Sequence, residues 1–431
     1  MAAMLADPAA LRASLRALLA HPAVDAIDAM TEIAGPSRPI FAVGGTVRDL
    51  LLGLELRDID LAIEGDAAQV LRAALPQTRV TAHQRFGTAT AVVAGTRIDL
   101  VTARRESYAR RGALPATEAA GIEDDLRRRD FGCNALALRL NGPPGLLDPT
   151  GGLRDIELRH VRVLHERSFE DDPTRIFRAF RYAARLDFTI EARTASLLAS
   201  ALPYIRRVGG ERLRRELELT LHDVPAGAAL EAAHTAGALQ AIEAGLHWSR
   251  AKSEAYEAPL VPAKERDPYG FALMASGAGE EAADAVVRRL RLKRDETASV
   301  RGIASLRRVS ELLRRPQLKP SGAAMLLDRC PLPAIAAYAH TTGNTIARDI
   351  MLRYLQEWRA TRPLLSGRDL IEMGVPPGPQ VQQGLQLVRA ARLDGWAHDR
   401  DAERALIERF VRSIRESRVM HSMVEFEPRG D

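Results

Sequence analysis

The stretch IFAVGGTVRDLLLGLELRDIDL, residues 40–61, decides the fold. A run of four apolar residues ends at Gly44-Gly45, and a helical pattern follows it. The end of the stretch, Asp58-Ile59-Asp60-Leu61, alternates polar and apolar residues, which is typical of a half-buried strand. A strand, a glycine turn, a helix and a second strand in such short succession predict a compact α/β or α+β unit.

The two aspartates of this stretch are candidate catalytic residues. Asp58 and Asp60 are two residues apart in a predicted strand, so both side chains leave from the same face. Such positions are about 6.6 Å apart, and two carboxylates at this spacing can hold metal ions for phosphoryl transfer. Asp99, in a later predicted strand, is a third candidate. Mg²⁺ is the expected cofactor because it prefers a few carboxylates together with phosphate oxygens.

The glycine pair distinguishes this pattern from an ordinary strand. An Asp-x-Asp pair alone is more often a solvated strand face, and a lone glycine pair is usually a tight turn. Gly44 and Gly45 after a strand, however, let the backbone approach a triphosphate closely and present amide donors to it. Arg48, in the helical run that follows, is a further candidate for binding phosphate. The glycines, Arg48 and the two aspartates together therefore indicate a nucleotide site.

The rest of the chain divides into a strand-rich part and a helical part. With 431 residues the chain is too long for one ordinary core, so we expect two to four domains. We predict an N-terminal helix within 1–30, a catalytic head over 31–160, a helical neck over 161–225 and a helical body and tail over 226–431. The predicted strands are 39–43, 57–63, 78–82, 88–94, 96–103 and 135–140, and the predicted helices include 4–21, 67–75 and 171–186.

Composition narrows the classes of partner and compartment. There are 61 basic and 56 acidic residues, and nearly all the basic ones are arginine. Arginine binds phosphate through a planar two-pronged fork, which suits nucleotides and RNA, although a compositional bias would give the same excess. The two cysteines, Cys133 and Cys330, are consistent with reduced thiols. We expect a cytoplasmic protein without a membrane partner, since we find neither a signal peptide nor a membrane-spanning run; the oligomeric state stays open.

Four segments in order resemble the class II tRNA nucleotidyltransferase and bacterial poly(A) polymerase family. Residues 44–60 are similar to its metal and triphosphate motif, and 125–135 to its ribose motif. Residues 148–156 resemble its hinge between head and neck, and 171–181 its base-selecting helix. The resemblance implies an α+β nucleotidyltransferase head with a mixed sheet of the DNA polymerase β type. An all-α neck, body and tail would follow this head.

The second of these segments supplies candidate nucleotide-binding residues. Asp130, with Asn134 close by, can accept a hydrogen bond from a ribose 2′-hydroxyl, which would favour ribonucleotides. Arg128 and Arg129 would hold phosphate or stabilise the charge that develops during transfer. The alternative is a salt-bridged surface patch, because acidic residues precede them at 123–125.

The fourth segment contains a predicted base reader. Asp172, Arg175, Arg178 and Arg181 have helical spacing and are predicted along one face of a helix that Pro173 opens. A carboxylate that accepts from an exocyclic amine, with a guanidinium that donates to a ring nitrogen, would admit C and A and reject G and U. The resemblance implies that the protein itself acts as this template. The alternative is that the aspartate only caps the helix and the arginines are solvated or ion-paired.

The resemblance implies a specific reaction. A tRNA 3′-hydroxyl would attack the α-phosphate of CTP or ATP and release pyrophosphate by a two-metal mechanism, which makes or repairs the CCA end. The helical body, with arginines over 205–215 and 288–314, would hold the acceptor and T arms of the tRNA. The Asp-Asp-Pro-Thr-Arg form of 171–175 is closer to relatives that add only A, whereas the loop 104–124 argues against an enzyme that stops after CC. A poly(A) polymerase and an RNA-binding protein with an inactive head are the remaining alternatives.

Overall fold

The computed structural model describes residues 7–56, 58–83, 87–107, 112 and 115–424. The chain divides into two compact units, Met1–Ala244 and Gly245–Asp431. The first unit contains the β-sheet, and the second is helical. The domain boundaries drawn from the sequence stay predictions.

The centre of the first unit is a mixed sheet of seven strands among the described residues. The strands of the unit are β1 (Ile40–Val43), β2 (Asp58–Ile63), β3 (Thr81–His83), β4 (Thr88–Val93), β5 (Thr96–Thr102), β6 (Arg104–Ser107), β7 (Ala116–Ala119), β8 (Ala137–Arg139), β9 (Leu146–Leu147), β10 (His160–Val161) and β11 (Thr189–Ile190). The sheet has the order β3-β4-β5-β2-β1-β8-β9, while β6 pairs with β7 and β10 with β11. Within the sheet β2 and β5 run parallel and the other neighbours are antiparallel.

Helices cover the sheet and continue beyond it in the same unit. They are α1 (Pro8–Leu18), α2 (His21–Ala34), α3 (Gly45–Leu52), α4 (Ala67–Ala74), α5 (Ile122–Arg127), α6 (Gly152–Glu157), α7 (Ser168–Asp171), α8 (Arg175–Leu186), α9 (Ala192–Ala201), α10 (Gly210–His222), α11 (Ala226–Thr235) and α12 (Ala238–Ile242). Leu15 of α1, Met30 of α2 and Val70 of α4 belong to one buried cluster with Ile59 and Leu61 of β2. Burying such side chains stabilises the fold by roughly 1.5–3 kcal/mol each.

The sequence located the main strands of the seven-stranded sheet, but it did not predict β6, β7, β9, β10 and β11. The predicted α+β head with a mixed sheet, followed by a helical chain, is confirmed. The strands predicted at 88–94 and 96–103 are confirmed to within one residue, whereas β3 begins three residues later than predicted. The predicted helix 4–21 is observed as α1, with residues 4–6 outside the described part of the chain, and α2 was missed.

The predicted helix over 171–186 is wrong at its start. Helix α7 ends at Asp171, and Asp172 is extended with φ −134° and ψ 93°. Pro173 explains the break, because its ring clashes with a helical conformation of the preceding residue. Helix α8 begins only at Arg175, so Asp172 is not on one helical face with the arginines that follow.

The second unit is a helical assembly. Its helices are α13 (Arg250–Glu257), α14 (Arg266–Ala275), α15 (Glu280–Leu290), α16 (Arg294–Leu313), α17 (Pro320–Leu327), α18 (Leu332–Thr341), α19 (Thr345–Gln356), α20 (Gly367–Glu372), α21 (Pro379–Leu393) and α22 (Arg400–Val424). Within the residues that the structure describes, no helix combines the length and the apolar character that crossing a membrane requires. Cys133 in the first unit and Cys330 in the second are free thiols.

Candidate active site

Gly44 and Gly45 form the turn between β1 and α3. Gly44 has a φ of 62°, which L side chains rarely adopt, and its N–H donates to the carbonyl of Leu136 at 3.2 Å. A Cβ atom on Gly44 would lie 2.5 Å from a guanidinium nitrogen of Arg129. A Cβ atom on Gly45 would lie 3.6 Å from Oδ2 of Asp60. The two glycines therefore bring bare backbone against a guanidinium and a carboxylate.

The parallel pairing of β2 with β5 brings the three predicted catalytic aspartates to one face. Asp60 is directly opposite Asp99, and Asp58 is opposite Arg97. Because side chains alternate along a strand, Asp58 and Asp60 share the face that Asp99 also occupies. The main-chain N–H of Asp60 donates to Oγ1 of Thr46 at 2.8 Å, which ties β2 to the first turn of α3.

The charges on this face are not balanced. Burial raises the pKa of Asp60, and the neighbouring charges of Asp99 and Asp58 raise it further, while Arg129 opposes them. A carboxylate whose charged form is disfavoured in this way gains from any cation that binds beside it. The donor set is therefore suited to a divalent ion.

The three aspartates differ in whether their carboxylates already accept hydrogen bonds from neighbouring side chains. The carboxylate of Asp99 accepts hydrogen bonds from Thr90 and from Nε of Arg97, the latter at 2.9 Å. In the described ranges no three Asp, Glu, His or Cys side chains surround a common ion position. Asp58 and Asp60 fit Mg²⁺ better, because this ion is held by one or two protein carboxylates together with substrate phosphates and water.

Arg128 and Arg129 form an ion-paired wall next to the glycine turn. Both side chains are 17% exposed, and both bind the fully buried Asp125, Arg128 at 2.5 Å and Arg129 at 3.0 Å. Arg128 also pairs with Glu106 at 2.8 Å. Burial opposes ionisation of Asp125, but the two guanidinium groups lower the pKa of this carboxyl below its usual value. The salt bridges that we considered as an alternative are thus present, yet they are largely buried.

Asp130 is fixed by four hydrogen bonds. Its Oδ1 accepts from the N–H of Phe131 at 2.9 Å and from Nδ2 of Asn134 at 3.1 Å. Its Oδ2 accepts from Nε and Nη2 of Arg178 at 2.8 and 2.6 Å. Burial opposes ionisation, but Arg178 and Asn134 together hold the pKa of Asp130 well below its usual range. Asp130 is therefore a carboxylate with one fixed orientation.

Asp172 has an oriented carboxylate in the break before α8. Its Oδ1 accepts from the N–H and the hydroxyl of Thr174 at 3.1 and 2.7 Å. The same oxygen accepts from Nη2 of Arg212 at 2.8 Å. The bonds to Thr174 form a local turn before α8, but Asp172 does not cap this helix, whose N-cap is Thr174 without a side-chain cap hydrogen bond.

Arg175 is buried and engaged at both terminal nitrogens. Its Nη1 donates to Oγ of Ser168 at 2.6 Å, and its Nη2 donates to the carbonyl of Arg128 at 2.8 Å. Arg175 is only 6% exposed. It connects the predicted ribose motif with the predicted base-selecting segment.

A cavity of about 690 Å³ in the first unit collects most of the predicted residues. Those that line it are Gly44, Gly45, Asp60, Asp99, Arg128, Arg129, Asp130, Asn134, Asp172, Arg175 and Arg178.

Three predicted residues, Asp58, Arg48 and Arg181, do not line this cavity. Asp58 lies at the exposed start of β2. Arg48 is 2% exposed and pairs with Asp49 at 2.7 Å. Arg181 is 6% exposed and pairs with acidic residues of α10 and of the loop that follows it. Both arginines are therefore buried behind the residues that line the cavity. Their positions do not support direct binding of phosphate.

The sequence missed several residues of the cavity wall. Tyr182 of α8 lines it, and so do four charged residues of α10: Glu211, Arg212, Arg215 and Glu216. The sequence predicts that the arginines over 205–215 hold RNA, and two of them, Arg212 and Arg215, line the cavity. The available signal was the charged face of α10, which looks like a solvated surface until its packing against α8 is known.

Known proteins resemble this chain over most of its length. Residues 40–162 match the Poly A polymerase head domain. The chain is 33% identical over 372 residues to the A-adding tRNA nucleotidyltransferase of Halalkalibacterium halodurans, covering 83% of this chain and 85% of that protein. It is 34% identical over 390 residues to the CC-adding tRNA nucleotidyltransferase of Deinococcus radiodurans, covering 88% and 91%.

Solved structures that are similar to this chain include CCA-adding enzymes. The Thermotoga maritima CCA-adding enzyme complexed with tRNA aligns with a TM-score of 0.71 and 26% identity, covering 93% of this chain and 98% of that one. A CCA-adding enzyme in complex with ATP aligns with a TM-score of 0.73 and 27% identity, with the same coverage.

Proposed function

The chain belongs to the family of tRNA nucleotidyltransferases with a poly A polymerase head domain, and on this premise we propose that it adds C, A or both to a tRNA 3′ end. The substrates would be CTP and ATP, and the leaving group pyrophosphate. One observation carries the proposal: a cavity brings the glycine turn, Asp60, Asp130 and Asp172 together. These are the groups that a triphosphate, a ribose and a base require.

The glycine turn and the aspartates of β2 would act on the triphosphate. Backbone amides at Gly44 and Gly45 would bind phosphate oxygens, with Arg129 beside them as a counter-charge. Asp58 and Asp60 would hold a divalent cation, proposed to be Mg²⁺, which when bound supplies positive charge to the triphosphate and activates the attacking hydroxyl. Members of the family are generally metal-dependent, which supports this assignment.

Asp130, Asp172 and Arg175 would read the rest of the nucleotide. Asp130 would accept from the 2′-hydroxyl, since Arg178 keeps it ionised and oriented. Asp172 would accept from the exocyclic amine of C or A. Arg175 would donate to the ring nitrogen, and for this it must exchange one of its two present partners for the base. The ion pairs of Asp130 and Asp172 and the hydrogen bonds of Arg175 in the free protein pre-organise the site.

The number and kind of added nucleotides separate three versions of the proposal. Addition of A alone is supported by the Asp-Asp-Pro-Thr-Arg form of 171–175 and by the relative from H. halodurans. A similar identity to the CC-adding relative supports CC addition, and the CCA-adding structures support the full reaction. We place the activity in the cytoplasm as part of the same proposal, because the relatives process tRNA.

Three tRNA transcripts test the proposal. They end at the discriminator base, at C and at CC, and each is incubated with CTP, ATP or both in the presence of Mg²⁺. Extension of all three to CCA identifies a full enzyme, and extension of only the CC-ended transcript by ATP identifies an A-adding one. A stop at CC identifies the CC-adding form. Long A tracts on an unrelated RNA would replace the proposal with a poly(A) polymerase, and no extension of any transcript would leave an RNA-binding protein.

A further inference from the structure

The ring of Tyr182, in α8, lies among three guanidinium groups. The Cζ atoms of these groups are 5.2, 5.4 and 5.5 Å from the centre of the ring, and they belong to Arg48, Arg181 and Arg178 in that order. The hydroxyl of Tyr182 also accepts a hydrogen bond from Nη2 of Arg178 at 3.3 Å. An aromatic face attracts a cation, and the attraction is stronger where water is excluded. The ring therefore stabilises three cations that would otherwise repel one another.

Three of the four hydrogen bonds to Asp130 come from residues that contact Tyr182 directly. Arg178 gives two of these bonds, and its guanidinium lies over the ring. The main-chain N–H of Phe131 gives the third. The ring of Phe131 packs edge-on against that of Tyr182, with the ring centres 5.9 Å apart. Tyr182 thus contacts donors to both oxygens of the carboxylate.

The fourth bond to Asp130 is connected to Tyr182 through Arg48. Nδ2 of Asn134 donates this bond at 3.1 Å, and Oδ1 of the same amide accepts from Nη1 of Arg48. Because only the oxygen of an amide can accept from a guanidinium, Arg48 makes Nδ2 face Asp130. Arg48 in turn lies over the ring of Tyr182. Each donor to the carboxylate therefore contacts the tyrosine directly or through one neighbour.

We propose that Tyr182 is a positioning residue for sugar selection, which holds Arg178 and Arg48 so that the carboxylate of Asp130 faces the ribose 2′-hydroxyl. The inference rests on the proposed function, because it needs Asp130 to read the sugar. Tyr182 and Asp130 both line the cavity in which the nucleotide would bind. The torsion of an aspartate carboxylate is soft, so its orientation depends on the donors around it. Without the ring, two of these donors lose the group that holds them in common.

A purely structural role for Tyr182 predicts a different outcome. Loss of packing alone would lower kcat/KM for ribonucleotides and for 2′-deoxynucleotides by the same factor. Loss of sugar reading would affect only the ribonucleotide, since a 2′-deoxynucleotide has no hydroxyl for Asp130 to bind. The ratio of the two kcat/KM values therefore separates the two roles.

The test measures kcat and KM for single additions to truncated tRNA of the accepted ribonucleotide, ATP or CTP, and of its 2′-deoxy counterpart. We compare Tyr182→Leu with the wild type and with Tyr204→Leu as matched control. Tyr204 also has a guanidinium over its ring, that of Arg207 at 5.1 Å, but it does not line the cavity. We expect Tyr182→Leu to lower the preference for the ribonucleotide by about ten-fold, through a higher KM for that nucleotide alone, and Tyr204→Leu to keep it.

Two aromatic replacements show whether the ring acts through its face. Tyr182→Phe keeps the ring and loses only the hydroxyl, so it should keep most of the preference. Pentafluorophenylalanine incorporated in place of Tyr182 has nearly the same shape, but its fluorine atoms withdraw electrons from the face that attracts cations. It should therefore lose the preference as Tyr182→Leu does, and it carries the test if Tyr182→Leu does not fold.

A double variant shows whether Tyr182 acts through Asp130. Asp130→Asn should by itself lower the preference for the ribonucleotide, because an amide has one acceptor oxygen where the carboxylate has two. Adding Tyr182→Leu to Asp130→Asn should then change the ratio no further.

The outcomes separate failure of this inference from failure of the proposed function. A wild-type ratio in Tyr182→Leu or with pentafluorophenylalanine, an equal loss in Tyr204→Leu, or additive effects with Asp130→Asn would each overturn the role of Tyr182. In all of these cases the wild type still adds C or A and prefers the ribonucleotide. A wild type that adds nucleotides without this preference overturns Asp130 as the sugar reader. A wild type that adds neither C nor A overturns the proposed function, and the inference falls with either.

Discussion

On the glycine side of the cavity (Gly44, Gly45, Asp60 and Asp99) carboxylates lie next to one another. On the arginine side (Asp130, Arg175 and Arg178) the one carboxylate, Asp130, is paired with Arg178. Burial and neighbouring carboxylates raise the pKa of Asp60. On the other side, despite burial, Arg178 holds the pKa of Asp130 well below its usual range. Carboxylates that lie close together without enough positive charge gain stability when a cation binds to them. Side chains that are already ion-paired keep a fixed orientation. We therefore expect catalysis to depend on a cation bound at the glycine side, and selectivity on the fixed carboxylate of Asp130 at the arginine side.

The largest expected effect comes from removing the charge of Asp60. We expect Asp60→Asn to lower nucleotide addition by at least about 10³-fold, because one of two proposed metal ligands is lost. The melting temperature should stay the same or rise, since burial disfavours this charge in the free protein. Incorporation assays and thermal unfolding measure the two effects. Asp124→Asn removes an exposed aspartate of the same unit and should leave both unchanged; appreciable activity in Asp60→Asn would contradict the metal assignment.

The second effect is on stability at the arginine side. Asp130→Asn leaves Arg178 without its carboxylate, so we expect the free energy of unfolding to fall by about 2 kcal/mol. Asp187→Asn is the matched control, because Asp187 also pairs with an arginine but its side chain is 95% exposed. This control should cost less than about 0.5 kcal/mol in urea unfolding. Equal losses in the two variants would show that the pair at Asp130 is no stronger than a surface pair.

The same variant gives a pH dependence with a definite sign. The pKa of Asp130 is lower in the folded protein than in the unfolded chain, where it is about 3.9. Its contribution is therefore fully present above the unfolded pKa and is lost as the pH falls through the folded one. The difference in unfolding free energy between wild type and Asp130→Asn should be constant from about pH 7 to 5 and shrink below about pH 3.9. A difference that shrinks already near neutral pH would contradict the ion pair.

We expect a smaller effect on nucleotide binding when a side chain is added at the glycine turn. Gly45→Ala places a methyl group near Oδ2 of Asp60 and the phosphate site, at distances that the free protein tolerates. We expect the KM for the nucleotide to rise roughly ten-fold with little change in stability, because the backbone can no longer approach the triphosphate. Gly209→Ala is the control, since a Cβ there meets nothing within 4 Å. An unchanged KM in Gly45→Ala would place the phosphates elsewhere.

The smallest effect is stabilisation by the metal alone. Without nucleotide, Mg²⁺ at twice its dissociation constant should stabilise the wild type by about 0.65 kcal/mol. Thermal unfolding with and without Mg²⁺ measures this shift, and Asp60→Asn should not show it. Equal shifts in both proteins would mean that the ion binds away from the unbalanced carboxylates.

Local patterns in the sequence predicted the glycine side well. The apolar run before Gly44 and the alternation around Asp60 set their own strands, because the period of two is a property of a few adjacent residues. The spacing of Asp58 and Asp60 likewise fixes their common face. The opposition of Asp99 to Asp60 depends on parallel pairing between β2 and β5, which the sequence alone did not establish.

Predicted and observed positions of side chains differ most where long-range packing decides. Arg48 and Arg181 have the same side chain as Arg178, yet only Arg178 lines the cavity. Whether an arginine faces a ligand or a buried carboxylate depends on which helix packs against it. The contact of Arg212 with Asp172 likewise spans 40 residues of sequence, so no local pattern predicts it.

The sequence by itself determined the glycine turn and the pair of aspartates, since each follows from the conformational preferences of neighbouring residues, while the resemblance to a known family implied the α+β head. The break before Arg175 also has a local cause in Pro173, which is predicted to open the helix and instead precedes it. The balance of charge around the cavity was decided only by the tertiary structure. Electrostatic energies depend on distance and burial, and both are set by contacts between segments far apart in the chain.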